Sequence, residues 1–335
     1  MDTKPVVYFY VPEGYNPATQ YYVDMIKDSF RQKGCECVDS TRLSDIPRRA
    51  SIATIRPLEF LTSTLLKTPV KTLTWFQGIT PEEIRMMFKP SLKLSAKIRL
   101  HTLAERFCLK RTGIAMFVSR RMSEHYREKY GVEPKRSIVM PCFNCALDEQ
   151  LIRNNAQRYE TPSFVYAGNM APWQCIDETL ELFKKIKIQI PESTLTIYTG
   201  DKAEACRKLN DHGVEAVVEF KPLDELPAAL AKHKYGLIVR DDIEVNNVAT
   251  PTKMNSYMAA GLIPVYSDVV DAYKENLSGC EYTVPFADAN DCVNQIKGIE
   301  RLPIDVERLI NSFRYVFNRY WNRDNYISGI YNLLW

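Results

Sequence analysis

The chain has 335 residues, 45% hydrophobic and 25% charged, a globular composition that excludes long disordered or collagen-like stretches and gives room for two domains. Its net charge of +3 divides unequally: residues 1–157 carry 25 Lys and Arg against 16 Asp and Glu, the remainder 19 against 25. The first half is therefore the one suited to an anionic partner. The longest apolar run near the start, Val6 to Val11, is too short for an export signal or a membrane span, and nine irregularly spaced cysteines predict free thiols in a reducing cytoplasm. "CFNC" (Cys142 to Cys145) has no second Cys or His pair at zinc spacing, so it reads as core and no metal site is expected.

Along the chain, "PVVYFYV" reads as a strand, followed by a helix over Ala18 to Lys33 whose Tyr22, Ile26 and Phe30 share one face and whose stop is Gly34. "TLTWF", "GIAMFVS" and "SIVM" read as further strands separated by helical patterns, the arrangement of a parallel sheet with crossover helices. The polar stretch Leu147 to Ser163 breaks the alternation and reads as a linker. Alternation then restarts with "FVYAG", a helix near Ile176 to Ile188, "TLTIYTG", a helix near Ala203 to His212, "AVVEF" and "YGLIV". Next comes "VATPTKMNSYMAAGLIPVYSD" (Val248 to Asp268). Here Thr250 is expected to cap a helix over Pro251 to Ala260, Gly261 to end it, and "LIPVYS" to form a buried strand. The tail from Ile304 reads as two helices. The fold class expected is α/β, with two Rossmann-like doubly wound parallel-sheet domains facing a cleft. The expected divisions are 1–157, 158–320 and a helical segment 321–335 free to pack back on the N-terminal domain.

In such sheets ligands bind at the C-terminal ends of the strands. The strand-end candidates in the second domain are Gly168, Asn169, Gly200, Asp201 and Arg240, joined by the start of the Pro251 helix with Lys253 in its first turn, a natural anion site. The first domain offers Gly14, Tyr15 and Asn16, then Gln77, Gly78 and Glu82, then Ser119 and Arg120. Glu82 and Glu83 also fit an ordinary helix start. No G-x-G-x-x-G, Walker A, H-E-x-x-H or G-x-S-x-G sequence is present, and no strict D-x-D.

The order of "FVSRRMSEHYREKYG", "VYAGNM", "TLTIYTG", "GLIVR" and above all "TPTKMNSYMAAGLIPV" resembles the GT-B glycosyltransferases, in particular the retaining transferases of bacterial polysaccharide and lipopolysaccharide synthesis. The resemblance covers nearly the whole chain. It implies a nucleotide-diphosphate sugar held by the C-terminal domain, an acceptor glycan or lipid-linked glycan held by the N-terminal one, and transfer with neither metal nor resident cofactor. Under that implication Arg240, Lys253 and Gln77 are the catalytic candidates. Donor and diphosphate contacts fall to Gly168, Asn169, Gly200, Asp201, Asn247, Thr250, Pro251, Thr252, Ser256 and Tyr257. Acceptor contacts fall to Gly14, Tyr15, Asn16, Gly78, Glu82, Ser119 and Arg120. The chain departs from the family at Ser256, where a ribose-binding glutamate is common, and at Gln77, where many members have histidine. A glutamine orients a hydroxyl but is no base near neutral pH.

On the helix expected over Ser91 to Arg111, Leu92, Ala96, Leu100, Leu103 and Phe107 form a stripe flanked by Lys93, Lys97, Arg99, Arg106, Lys110 and Arg111. The stripe suits burial on its own sheet or contact with an anionic membrane, so a cytoplasmic protein with peripheral attachment to the inner face fits. Nucleic acid is not an expected partner, since no aromatic residues interleave with the charges. Two other functions remain open: a non-catalytic partner subunit of the same fold, motivated by Ser256 and Gln77, and a sugar-nucleotide epimerase.

Overall fold

In the computed structural model, which describes residues 4–15 and 17–334, the chain divides into two compact units. Unit 1 comprises 1–144, 248–250 and 322–335; unit 2 comprises 145–247 and 251–321. Each is built on one six-stranded parallel sheet.

Unit 1 contains β1 (Val6–Tyr10), β2 (Glu36–Ser40), β3 (Ser51–Thr54), β4 (Lys71–Phe76), β5 (Ile114–Phe117) and β6 (Ser137–Val139), in the spatial order β2-β1-β3-β4-β5-β6. β5 is buried along its whole length and β4 in all but its first residue, so the continuous apolar runs reflect a sheet covered on both faces. Strands β2 and β3 escape a sequence reading because "ECVDS" is a polar edge and "SIAT" is four residues long. The helix Pro17–Gln32 packs on the C-terminal helix Arg323–Leu333, where Ile327 and Ile330 are buried, Phe143 meets Tyr326 at 5.5 Å between ring centroids, and Arg323 pairs with Asp28.

Unit 2 contains β7 (Ser163–Ala167), β8 (Thr194–Tyr198), β9 (Val217–Glu219), β10 (Tyr235–Ile238), β11 (Ile263–Ser267) and β12 (Val284–Phe286), in the order β12-β11-β10-β7-β8-β9. The chain runs outward from β7 through β9, then restarts on the other side of β7 with β10. The β7/β10 junction is thus the topological switch point, where the crossovers diverge and leave a crevice at the strand ends.

Two expectations about local structure are corrected. The stretch 147–163 is no open linker: Asp148 caps a helix Glu149–Asn154, a 3-10 turn Ala156–Glu160 follows, and the buried Arg158 bonds to the Ala231 carbonyl at 2.8 Å. Its polarity misleads because the charges are paired, Arg153 with Glu307 and Glu149 with Arg314, both at 2.7 Å. The helix expected from Pro251 runs Thr252–Ala259 with Pro251 at the cap position, and Thr250 is not its cap. The Thr250 hydroxyl accepts instead from the Cys142 amide at 2.9 Å. Gly261 does take the left-handed conformation, φ 79°, and an added methyl there would run into Arg158.

Candidate functional site

The switch point of the second sheet gathers two cations. Arg240 leaves the end of β10 and is 5% exposed; its Nη1 donates to the Trp173 carbonyl at 2.7 Å and its Nη2 to Gln174 Oε1 at 2.8 Å. Lys253, in the first turn of the Thr252–Ala259 helix, donates from Nζ to the same Gln174 Oε1 at 2.7 Å. The ammonium also lies 4.0 Å from the Tyr166 ring centroid, a favourable cation–π contact. Gly168, just past β7, makes the approach possible. At φ 153° it is in a conformation that side chains avoid, and a Cβ there would stand 3.0 Å from Lys253 Nζ and 3.1 Å from the Tyr166 hydroxyl.

Neither cation forms an ion pair among the described residues. Burial depresses the Arg240 pKa, and burial together with the adjacent guanidinium pushes Lys253 well below the lysine range. Arg240 Nε is buried with no hydrogen-bond partner. Two desolvated like charges sharing one neutral amide oxygen form a costly arrangement that a polyvalent anion relieves. The chemistry these groups can perform is to hold a phosphate and stabilise negative charge as it develops.

The other donor-side candidates follow strands β7, β8 and β10 or lie at and on the Thr252–Ala259 helix. Asn169 accepts at its carbonyl from the Tyr166 hydroxyl at 2.6 Å, and Asp201 accepts from the Met170 amide at 3.2 Å, so the loops after β7 and β8 meet. Gly200 is exposed, with nothing within 4 Å of an added Cβ. Asn247 donates to Asp242 at 2.7 Å, and Ser256 turns its hydroxyl back to the Thr252 carbonyl at 3.3 Å. Pro251 accepts at its carbonyl from the Tyr273 hydroxyl at 2.7 Å. Tyr257 is fully buried: its hydroxyl accepts from the Ala167 amide at 2.8 Å and its ring fills the space left by Gly236, so it braces β7 and β10 from beneath. Sequence reasoning missed Gln174 and Tyr166. The one signal was their place beside Gly168, within a strand and loop already singled out.

On the first sheet the candidates Gly14, Tyr15, Gln77, Gly78, Glu82, Ser119 and Arg120 all follow the C-terminal ends of β1, β4 and β5; Asn16 lies outside the described residues. Tyr15 donates to Asp39 at 2.7 Å, Gln77 donates to the Ile55 carbonyl at 3.2 Å, and the Gly78 carbonyl accepts from Tyr126 at 3.0 Å. Glu82 is held by Lys129 at 2.8 Å. Arg120 is exposed, 3.8 Å from Glu124. Ser119 does not present an open hydroxyl: it caps the Arg120–Tyr130 helix by accepting from Met122 at 2.9 Å and donates to the Val248 carbonyl at 2.6 Å. The β1/β3 switch point also holds residues that the sequence did not mark. Arg56 pairs with Glu13, and Glu59, 5% exposed, accepts from the Ile55 amide at 3.1 Å while its second oxygen has no hydrogen-bond partner. Burial pushes Glu59 up to about 7.

No family model and no curated protein sequence matches the chain. Solved structures do. WaaG, described as a glycosyltransferase involved in lipopolysaccharide biosynthesis, is 12% identical over 97% of this chain and 99% of its own, with a TM-score of 0.66. HepE of Anabaena, solved in complex with UDP, is 10% identical over 99% and 100%, with a TM-score of 0.65. A mutant TarM of S. aureus, solved with α-GlcNAc-glycerol and UDP, is 12% identical over 87% of this chain, with a TM-score of 0.60; this chain spans 56% of TarM. The fold is the two-Rossmann architecture of the GT-B glycosyltransferases.

Proposed function

We propose that this chain is a glycosyltransferase that moves a sugar from a nucleotide-diphosphate sugar to a glycan or lipid-linked glycan acceptor. The observation that carries the reading is the meeting of Arg240 and Lys253 at the β7/β10 switch point, without a carboxylate partner among the described residues. A departing nucleoside diphosphate gains charge at its β-phosphate, and two cations fixed beside it lower the barrier in the way a divalent ion would. Metal independence and retention at the anomeric carbon belong to the same proposal, with Gln77 orienting a hydroxyl rather than removing its proton. The WaaG and HepE likenesses support the choice of a nucleotide sugar and a carbohydrate acceptor.

The test is binding of UDP, compared with uridine, to the protein and to Lys253→Ala and Arg240→Ala. Each loss of a charge-assisted hydrogen bond is expected to weaken UDP roughly 10- to 100-fold and to leave the nucleoside nearly unchanged; equal losses for both ligands reject the phosphate role. Transfer that survives a chelator and yields a product of unchanged anomeric configuration completes the proposal. A second reading, a partner subunit that binds nucleotide without turnover, is favoured by Ser256 and Gln77 both bonding back to backbone carbonyls. Slow release of sugar from the donor into water separates the two, since a subunit without activity releases none.

Attachment to an anionic membrane is also proposed, on the exposed stripe of the Leu92–Arg111 helix. Its buried residues are Ala104, Glu105, Cys108 and Leu109. Leu92 at 91% and Leu103 at 62% exposure stand on the other side, among the lysines and arginines. No helix among the described residues is long and apolar enough to cross a membrane.

A further inference from the structure

Resting on the phosphate reading of Arg240 and Lys253, we infer that Gln174 is an internal competitor for that site, its side-chain oxygen standing where a phosphoryl oxygen binds. An amide oxygen has two lone pairs. Both are directed to the site's cations: Lys253 Nζ at 2.7 Å and Arg240 Nη2 at 2.8 Å. The opposite amide orientation would aim an NH2 group at two positive charges, so electrostatics fixes the oxygen in place. Arg240 Nη1 is likewise engaged by the neighbouring Trp173 carbonyl at 2.7 Å. One short segment, Pro172–Gln174, therefore supplies acceptors to three donor bonds of the site.

The segment is anchored at both ends. Before it, the Tyr166 hydroxyl holds the Asn169 carbonyl at 2.6 Å and lies 3.3 Å from Gln174 Oε1. After it, Cys175 sits at φ 52°, a left-handed conformation that a non-glycine residue adopts at a cost, before the Ile176–Gln189 helix begins. An incoming anion must exchange with Gln174 for the two cations, and its apparent affinity is reduced by the fraction of molecules in which the glutamine is turned away. A neutral amide loses this exchange to a diphosphate, whose several charged oxygens reach both cations, more readily than to a singly charged group. Gln174 thereby sets both the affinity of the site and its preference for a diphosphate.

The experiment titrates inorganic pyrophosphate, and acetate as a singly charged control, into the full chain and into Gln174→Met, Gln174→Glu, Lys253→Ala and Arg240→Ala. Gln174→Met, close in volume but lacking the acceptor, is expected to tighten pyrophosphate several-fold and to narrow its advantage over acetate. Gln174→Glu is expected to raise the unfolding temperature by giving the cations a partner, and to weaken pyrophosphate at least tenfold; opposite movement of stability and affinity is not what a merely structural residue gives. If Gln174→Met weakens pyrophosphate as Lys253→Ala does, Gln174 is a ligand contact and the inference is overturned. If the two cation variants weaken pyrophosphate and Gln174→Glu does not, the inference alone falls. If neither cation variant has an effect, the phosphate reading on which it rests falls first.

Discussion

In Lys253 and Glu59 burial and charge act against each other. The lowered pKa of Lys253 arises from burial and from Arg240, and a bound diphosphate acts in the opposite direction, raising it again. Binding must then take up a proton once pH exceeds the lowered value, so affinity falls as pH rises. Above about pH 7.5 the ligand's own terminal phosphate, with a pKa of about 6, no longer contributes. Calorimetric titration of UDP in buffers of differing ionisation enthalpy is expected to show this uptake, and Lys253→Arg, always charged, is expected to abolish it. Glu59 shows the other sign. Its folded pKa, pushed up to about 7 by burial, lies above the ordinary 4.5, so the native state holds the proton more tightly than the unfolded chain. Stability is full at low pH, declines as pH rises through the unfolded value, and levels off above the folded one. Glu59→Gln keeps an oxygen for the Ile55 amide and removes the charge. It is expected to stabilise the protein at pH 8 by an amount on the order of 1–3 kcal/mol, and to do little at pH 4, as read by thermal melts. A Glu59→Gln protein no more stable than the parent at pH 8 would show that the carboxylate is better solvated than its position implies.

At the scale of single elements, hydrophobic periodicity marked the Leu92–Arg111 helix correctly but could not say which face is covered. Leu92, Ala96, Leu100 and Leu103 line the exposed side, while Ala104, Cys108 and Leu109 meet the rest of the unit. Leu65 and Leu66, at the end of the Pro57–Leu66 helix that packs on it, are also exposed, at 71% and 70%. Leucines rimmed by lysine and arginine suit the boundary between headgroups and acyl chains of an anionic bilayer. The protein is expected to float with vesicles containing phosphatidylglycerol and not with pure phosphatidylcholine; Leu100→Asp with Leu103→Asp is expected to abolish flotation while leaving the fold intact by circular dichroism. Retention of flotation by that double variant would place any membrane contact elsewhere. The Thr252–Ala259 helix teaches a related lesson. Thr-Pro before it and Gly261 after it were legible as punctuation, yet Thr250 gives its hydroxyl to Cys142, a partner 108 positions away. Capping chemistry is local, and a long-range N–H donor that competes for the capping oxygen is invisible to a local pattern.

At the scale of the molecule, each unit is a separate sheet with its own core, but unit 1 is completed by residues 322–335 from the far end of the chain. Ile327 and Ile330 bury their side chains there, each contributing about 1.5–3 kcal/mol. Deleting 322–335 is expected to lower the unfolding temperature of unit 1 by several degrees while UDP binding, which the proposed function assigns to unit 2, persists; loss of both together would show that the two units do not fold independently. The sequence by itself determined the parallel α/β class, two sheets, most of their strands, the strand-end placement of Arg240 and the helix-start placement of Lys253, because continuous apolar runs mark strands buried on both faces of a sheet and Gly or Pro punctuation marks where elements begin and end. It did not reveal β2, β3 and β12, which are short or polar, or the folded state of 147–163. Tertiary structure alone decided that two cations 13 positions apart in the chain meet on Gln174, that the Ser119 hydroxyl donates to the Val248 carbonyl, and that Glu59 is desolvated. Convergence of that kind depends on which strands become neighbours, and strand order is set by the packing of the whole sheet.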